Sequence, residues 1–521
     1  MNFPATDLAG VLPSLILTAG ALLLLVSEVF LRKPALGAPG ASVPAQPSPD
    51  RRYQAILAAA VAGWSLWAAR AQLGDPAAQI FAGAAGCDGF AHVVAAIVCG
   101  SLLVSCLFAF GYLESLNATR GEFYALALFS AAGMCLLAQA NDLIVIFISL
   151  EVMSLALYCL CAYLRRGKRS AEAAFKYFVL GSFASAVFLY GAALAFGATG
   201  STSLSDLSRA VLNAAEGHAL PGSTGLLYGA AALLTSGFAF KVGAVPFHMW
   251  VPDVYDGASA PVTGFMAAAV KAAGFAVLVR ILVVGFGDGA IATGPHGWQP
   301  LVIWLAALTM LVGNLLAVPQ RSVKRMLAWS SIAHAGYLLV AVAAMGAQAG
   351  GVRADALQGL AFYLASYAAT VLGAFGVVAL IERKLVLSGA GDDLALWGGL
   401  AAKHPWLAAA MSLFMVSLAG IPPTAGFMAK LEVFRAAIDA GLFPLAVFGV
   451  LTSVAGLYYY LRVVVYVYMH PQTTPDAAPG GRMLSAGLAL AGCALLVVWL
   501  GVAPNTFAQL AQSALAGFGA R

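Results

Sequence analysis

Runs of about 20 apolar residues recur from one end of this chain to the other, separated by short polar breaks. Each run, wound into a helix, is long enough to cross the roughly 30 Å of hydrocarbon in a bilayer. Charged residues make up only 9% of the sequence, against roughly 25% in soluble domains, and the mean hydropathy is +0.90. Length alone would allow two or three soluble domains, but the unbroken recurrence of these runs predicts one polytopic, all-α membrane domain with the lipid bilayer as its surroundings. The first run, from Leu8 to Leu31, is too long for a signal-peptide core and has no basic region before it, so it is expected to remain as a spanning helix.

Reading the runs between polar breaks predicts about 14 crossings, near residues 8–31, 53–73, 89–113, 122–140, 142–164, 171–197, 225–248, 260–285, 300–318, 323–346, 357–381, 405–436, 441–469 and 483–503. The Pro/Gly-rich stretch Lys33 to Asp50 reads as a flexible connection. Ala198 to Ser223 reads as a longer polar loop with a short amphipathic turn. Cations concentrate in alternate loops: Arg32, Lys33, Arg51 and Arg52; Arg120; Arg165, Arg166, Lys168 and Arg169; Arg321, Lys324 and Arg325; Arg383, Lys384 and Lys403; and Arg482. The opposite loops hold scattered ones such as Arg70, Arg209, Arg353 and Arg435. The positive-inside rule makes the first set cytoplasmic and places both termini on the far side of the membrane, in agreement with an even helix count.

Two crossings carry breakers. The seventh has Gly243 and Pro246 just after Lys241, and the twelfth has Gly420, Pro422, Pro423 and Gly426 ahead of Lys430. Proline removes a backbone donor and glycine weakens the helix, so both are expected to be broken at membrane depth, where freed carbonyls can line a polar cavity. Five helices separate the breaks. An odd period inverts the second unit relative to the first, predicting inverted five-helix repeats in helices 4–8 and 9–13. The expected organisation is a three-helix region over 1–121, a first repeat over 122–285, a second over 300–470 and a C-terminal helix within 482–521.

Function is sought in the ionisable residues that the apolar runs enclose. Lys271 stands about eleven residues inside the eighth helix, roughly 16 Å along its axis, beyond easy snorkelling reach. Glu151 is equally central in LIVIFISLEVMSLALYCL. A charge at such depth costs about 2.5–3.5 kcal/mol on insertion scales, so its retention points to a function. Lys241 and Lys430 lie nearer to helix ends but beside the expected breaks. Lys176 is only about six residues into its helix, where reaching the interface explains it equally well. His334 and His248 have side chains suited to proton transfer near neutral pH, although a lone helical histidine is often a packing residue. Burial favours the neutral form of a lysine and an adjacent carboxylate favours the charged form, so the Glu151–Lys241 separation would control proton occupancy.

These residues sit in motifs that resemble a known family. The segment FAFKVGAVPFHMWVPDVYDGASAPVTGFMAAAVKAAGFA from Phe238 to Ala276 is similar to the signature of the antiporter-like subunits of respiratory complex I, the proton-pumping NADH:quinone oxidoreductase. LEVMSLALYCL around Glu151, SVKRMLAWSSIAHAGYLL from Ser322 to Leu339, and GIPPTAGFMAKLEVF from Gly420 to Phe434 extend the resemblance over the fourth to thirteenth helices. Lysine at both 271 and 430 resembles the N-type subunit, since the L type tends to have histidine at the former position and the M type glutamate at the latter. The resemblance implies that Glu151 and Lys241 form an input pair, Lys271 a central relay and Lys430 the far proton site, with His334 a relay between the last two. It implies a bacterial inner-membrane location and other membrane and peripheral subunits as partners. It also implies that NADH, FMN, iron–sulfur clusters and quinone are handled elsewhere in the complex, with no cofactor in this chain.

Other classes find little support. The seven cysteines form no CxxC or Cys/His metal spacing. No GxxxxGK[ST] loop occurs, and Gly285, Gly287 and Gly289 lack dinucleotide spacing. The net charge of +5 is explained by orientation-setting loops rather than by nucleic acid. Two rival functions remain open at this stage: a component of a cation/proton antiporter, and a structural scaffold whose lysines are vestigial.

Overall fold

The computed structural model describes residues 4–31, 52–164, 168–218, 222–287, 289–347, 350–388, 393–471, 484–515 and 518. Its crossings are α1 (Leu12–Leu31), α2 (Arg52–Ala71), α3 (Gly89–Ser115), α4 (Gly121–Gln139), α5 (Leu143–Cys161), α6 (Lys168–Thr199), α7a (Ser223–Val242) with α7b (Val251–Gly257), and α8 (Ala260–Gly285). The second half continues with α9 (Trp298–Ala317), α10 (Val323–Ala344), α11 (Gly350–Ser388), α12a (Pro405–Ala419) with α12b (Ala425–Asp439), α13 (Phe443–Met469) and α14 (Leu484–Val502). Among the described residues, 12 helices are long and apolar enough to cross a membrane. The two expected crossings outside that set are α2, which is less apolar, and α12, which is split.

Local chemistry sets many of these ends. Asp88 accepts a hydrogen bond from the Ala91 amide at the start of α3, Asp142 from Ile144 and Val145 at the start of α5, and Ser322 from Arg325 at the start of α10. At the breaks, α7a stops at Gly243 and α12a at Gly420, both in the left-handed region at φ 75° and 81°. The amide of each glycine turns back onto carbonyls of the last turn, a conformation that a side chain disfavours.

Burial separates inner from outer helices. Nearly all of α8 and α10 and most of α11 are enclosed by protein, whereas α6, α13 and α14 turn most of their surface outward. That outer surface carries Phe175, Phe183, Tyr190, Leu451, Val454 and Leu495, the composition expected where lipid or apolar protein is the neighbour. The chain is thus a multi-pass membrane protein. In α8 the helix widens into π turns over Met266–Val270 and Arg280–Gly285. Such turns re-aim side chains, and Lys271 follows directly after the first.

The fold departs from the sequence reading at its polar connections. A short antiparallel ribbon pairs Ala78–Ile80 with Ala85–Cys87, too brief for periodicity to announce in an otherwise all-helical chain. The amphipathic turn expected between 198 and 223 is a 12-residue helix, Leu204–Ala215. A further helix, Pro504–Leu515, follows α14. Lys324, read from sequence as a loop cation, is instead buried, with a side chain only 2% exposed. The Lys33–Asp50 connection, Arg32, Arg51, Arg165, Arg166 and Arg482, and the side chains of Arg383 and Lys384, lie outside the described residues.

Candidate functional site

The polar centre begins on α5. Glu151 is half-buried and its carboxylate accepts a 2.5 Å hydrogen bond from the Ser185 hydroxyl of α6. Three residues on along the same face of α5, Ser154 accepts a 2.7 Å hydrogen bond from the Lys241 amine. Glu151 and the serine that holds Lys241 therefore share a face of α5, and the carboxylate and the amine are each held by their own serine. Lys241 is buried, and its amine also faces the rings of Phe240, Tyr158 and Tyr177 at 5.6–5.8 Å. Tyr177 in turn stacks on Trp250, whose indole N–H is spent on the Phe240 carbonyl, so the break after α7a is packed with aromatic rings.

Lys271 lies at the centre of α8, one of the two most enclosed helices. Its amine donates to the Ser331 hydroxyl at 2.7 Å and to the Ser331 carbonyl, and sits 5.0 Å from the Tyr367 ring centre. Ser331 is on α10, one turn before His334. The imidazole joins Tyr363 of α11 through Nδ1 at 2.7 Å and Tyr460 of α13 through Nε2 at 3.1 Å. Tyr460 also bonds Ser330 at 2.5 Å. Adjacent serines thus serve two neighbours: Ser331 takes the lysine, and Ser330 ties into the histidine's hydroxyl cluster.

Lys430 occupies the second break. Its amine donates to the carbonyls of Leu418 and Ala419, both at 3.0 Å, and to the Ser453 hydroxyl at 2.7 Å. Those carbonyls end α12a, so the amine occupies the electronegative end of a half-helix. The approach is close: a Cβ placed on Gly420 would come within 2.9 Å of the Lys430 Cδ and 3.1 Å of its Nζ. Counted from the left-handed glycine of each break, Lys430 and Asp253 hold equivalent places, ten residues on.

The other two sequence candidates have different neighbours. Lys176 is partly exposed and bonded at 2.7 Å to both Glu172 and Asp253, so it ties α6 to α7b. His248 sits in the break itself, its ring 5.4 Å from that of Trp329. Sequence reasoning missed the serine and tyrosine hydroxyls that hold each amine, since such residues are common in apolar runs. It also missed two buried ion pairs: Arg280–Asp88, with Arg280 further bonded to Asn141 and to the Ala138 carbonyl, and Lys324–Glu382. Among the described residues, no group of three or more His, Cys, Asp or Glu side chains is placed to hold a metal ion.

Buried amines on α7a, α8 and α12b, two of them beside helix breaks, mark a membrane transport subunit, and comparison with known proteins agrees. The family model for the membrane domain of NADH:quinone oxidoreductase and Mrp antiporters matches residues 140–456, so the chain belongs to that family. Within it, the chain is similar at full length to NADH-quinone oxidoreductase subunit N of Myxococcus xanthus, 44% identical over 100% of both chains. Subunit N of Rhodospirillum rubrum is 39% identical, with 99% of this chain and 98% of the relative covered. Among solved structures, a chain of respiratory complex I from Thermus thermophilus with bound aureothin is 33% identical, with a TM-score of 0.76 over 96% of this chain and 99% of that one. A chain of the Mrp complex from Dietzia shares the fold at a TM-score of 0.80 and 23% identity, with 98% and 97% covered.

Proposed function

We propose that this chain is the N-type, proton-translocating membrane subunit of a bacterial NADH:quinone oxidoreductase. The observation that carries the reading is that Lys241, Lys271 and Lys430 are all buried and are held by hydroxyls and carbonyls rather than by a carboxylate. A lysine with a fixed anionic partner keeps its proton; one held by neutral oxygen can exchange it as its surroundings change. Family membership and full-length similarity to subunit N supply the reaction that drives the exchange.

In this reading Glu151 and Lys241 receive the driving signal. Movement of the carboxylate from Ser185 toward Lys241 would secure the proton on the amine, and its withdrawal would release the proton toward Lys271. The Ser331, Ser330, Tyr460, His334 and Tyr363 groups then offer oxygen and nitrogen atoms along which a proton passes toward Lys430. Moving one charge against the membrane potential requires about 2.3 kcal/mol per 100 mV, so the energy comes from redox chemistry in partner subunits. NADH, FMN, iron–sulfur clusters and quinone belong to those partners. Helices α4–α8 and α9–α13 form the two inverted units, and both termini face the periplasm, with the chain in the inner membrane.

The test is proton translocation by the assembled complex carrying Lys241→Ala or Lys430→Ala. Loss of pumping at normal complex abundance is expected; intact pumping would leave the scaffold reading standing. The shared fold of the Mrp chain favours one second reading, a cation/proton antiporter component. Co-purification of the chain with flavin- and iron–sulfur-containing subunits decides between the two.

A further inference from the structure

The segment joining the first break to the helix of Lys271 is gripped by the first turn of α10. Arg325 bonds Asp253 of α7b at 3.0 Å, Ser322 donates to Asp256 at 3.2 Å, and Lys324 donates to the Ala258 carbonyl at 2.7 Å. Lys324 also pairs with Glu382 of α11 at 2.7 Å. That carboxylate accepts the Ala260 amide, the first of α8, at 3.1 Å and the Tyr112 hydroxyl of α3 at 3.2 Å. Carbonyl 258 and amide 260 flank the turn between α7b and α8, and one ion pair holds both with the correct polarity.

The contacts grade from wet to dry. Asp253, Asp256, Ser322 and Arg325 line a cavity of about 500 Å³ together with Arg169 and Arg321. Lys324 lies beneath it, nearly without exposure. Outer contacts are screened by water, whereas removing one member of the inner pair strands a charge in a poorly solvated place. The same helix, α10, carries Ser331 and His334. Its first turn therefore sets where α7b and the start of α8 stand relative to the partners of Lys271.

We infer that Lys324 and Glu382, with Ser322 and Arg325 at the rim, are positioning residues that lock the α7b–α8 turn to α10 and α11, and that this lock keeps Lys271 in register with Ser331. The inference rests on the proton-relay reading above. A misplacement of about 1 Å in such a geometry lowers a rate by as much as about a hundredfold.

The experiment uses the intact complex in membrane vesicles. It compares Lys324→Ala, Lys324→Arg and the exchanged pair Lys324→Glu with Glu382→Lys, alongside Lys271→Ala, and scores proton translocation per complex and amide hydrogen exchange over 251–262. Lys324→Ala is expected to lose translocation by roughly ten- to a hundredfold and to exchange those amides faster. Lys324→Arg should recover most of both, since a guanidinium reaches the carbonyl and the carboxylate. The exchanged pair should not recover, because carbonyl 258 and amide 260 keep their polarity; recovery would reduce the pair to ordinary charge attraction and overturn the inference. Should Lys324→Ala fail to assemble, Arg325→Gln at the wet rim is expected to give a smaller loss with the same faster exchange. Wild-type translocation or unchanged exchange in the assembled variant overturns the lock while a defective Lys271→Ala leaves the relay reading intact. Normal pumping by Lys271→Ala removes the relay reading itself.

Discussion

The position of Lys430 can be perturbed without touching the lysine. Gly420 is left-handed at φ 81°, and a methyl group there would stand 2.9 Å from the lysine Cδ. Gly420→Ala thus imposes two costs: about 1–2 kcal/mol for the left-handed backbone, and displacement of the amine from the Leu418 and Ala419 carbonyls. Hydrogen bonds from a charged group are worth about 1.5–3 kcal/mol each. Losing the net value of even one corresponds to roughly tenfold in an equilibrium constant, at about 1.4 kcal/mol per decade. Gly441 supplies the control, because it has a similar φ of 77° but no atom within 4 Å of the added methyl. Both variants pay the backbone cost, and only Gly420→Ala moves the lysine. Proton translocation in membrane vesicles, normalised to complex abundance, is expected to fall about tenfold more for Gly420→Ala than for Gly441→Ala. Equal translocation by the two would refute the claim that the carbonyl-held amine is the working state of Lys430.

Other outcomes follow from the same geometry. Lys430→Arg should impair translocation although it keeps the charge, because a guanidinium does not readily release its proton; an unimpaired variant in the vesicle assay would remove Lys430 from the path. Ser331→Ala deletes one of the two oxygens holding Lys271 and should slow turnover by roughly tenfold for a charge-assisted bond of about 1.5 kcal/mol, with Ser331→Thr close to wild type. Ser185→Ala frees the Glu151 carboxylate, and infrared difference spectra of the variant should show its carboxylate band moved, whereas an unshifted band would contradict the serine contact. Arg280→Met strands Asp88 in a site where the arginine side chain is 2% exposed. The loss should be about 3–5 kcal/mol, measured as lower complex abundance and earlier thermal release.

The breaks at Gly243 and Gly420 and the amines beside them were legible in the sequence because three signals coincide there: a long apolar run, a charge that lipid penalises, and residues that cannot continue a helix. The Lys176 reading was ambiguous for a physical reason, since a lysine six residues into a helix can reach water, and in the fold it does reach charged partners near the rim. What stayed hidden is non-local. Lys324 and Glu382 are 58 residues apart and Asp88 and Arg280 are 192 apart, so no helical spacing relates them. A lysine at the edge of an apolar run reads as a loop cation until the carboxylate that buries it is known. The hydroxyl partners were equally silent, because a serine or tyrosine in a membrane helix declares its role only through what it faces.

The equivalent places held by Asp253 and Lys430 give the two interrupted helices opposite electrical character. One presents an anion clasped by Lys176 and Arg325, the other a cation clasped by carbonyl oxygens. A positive charge arriving from the interior would compete with those two cations for Asp253, whereas at the second break it meets the amine of Lys430 directly.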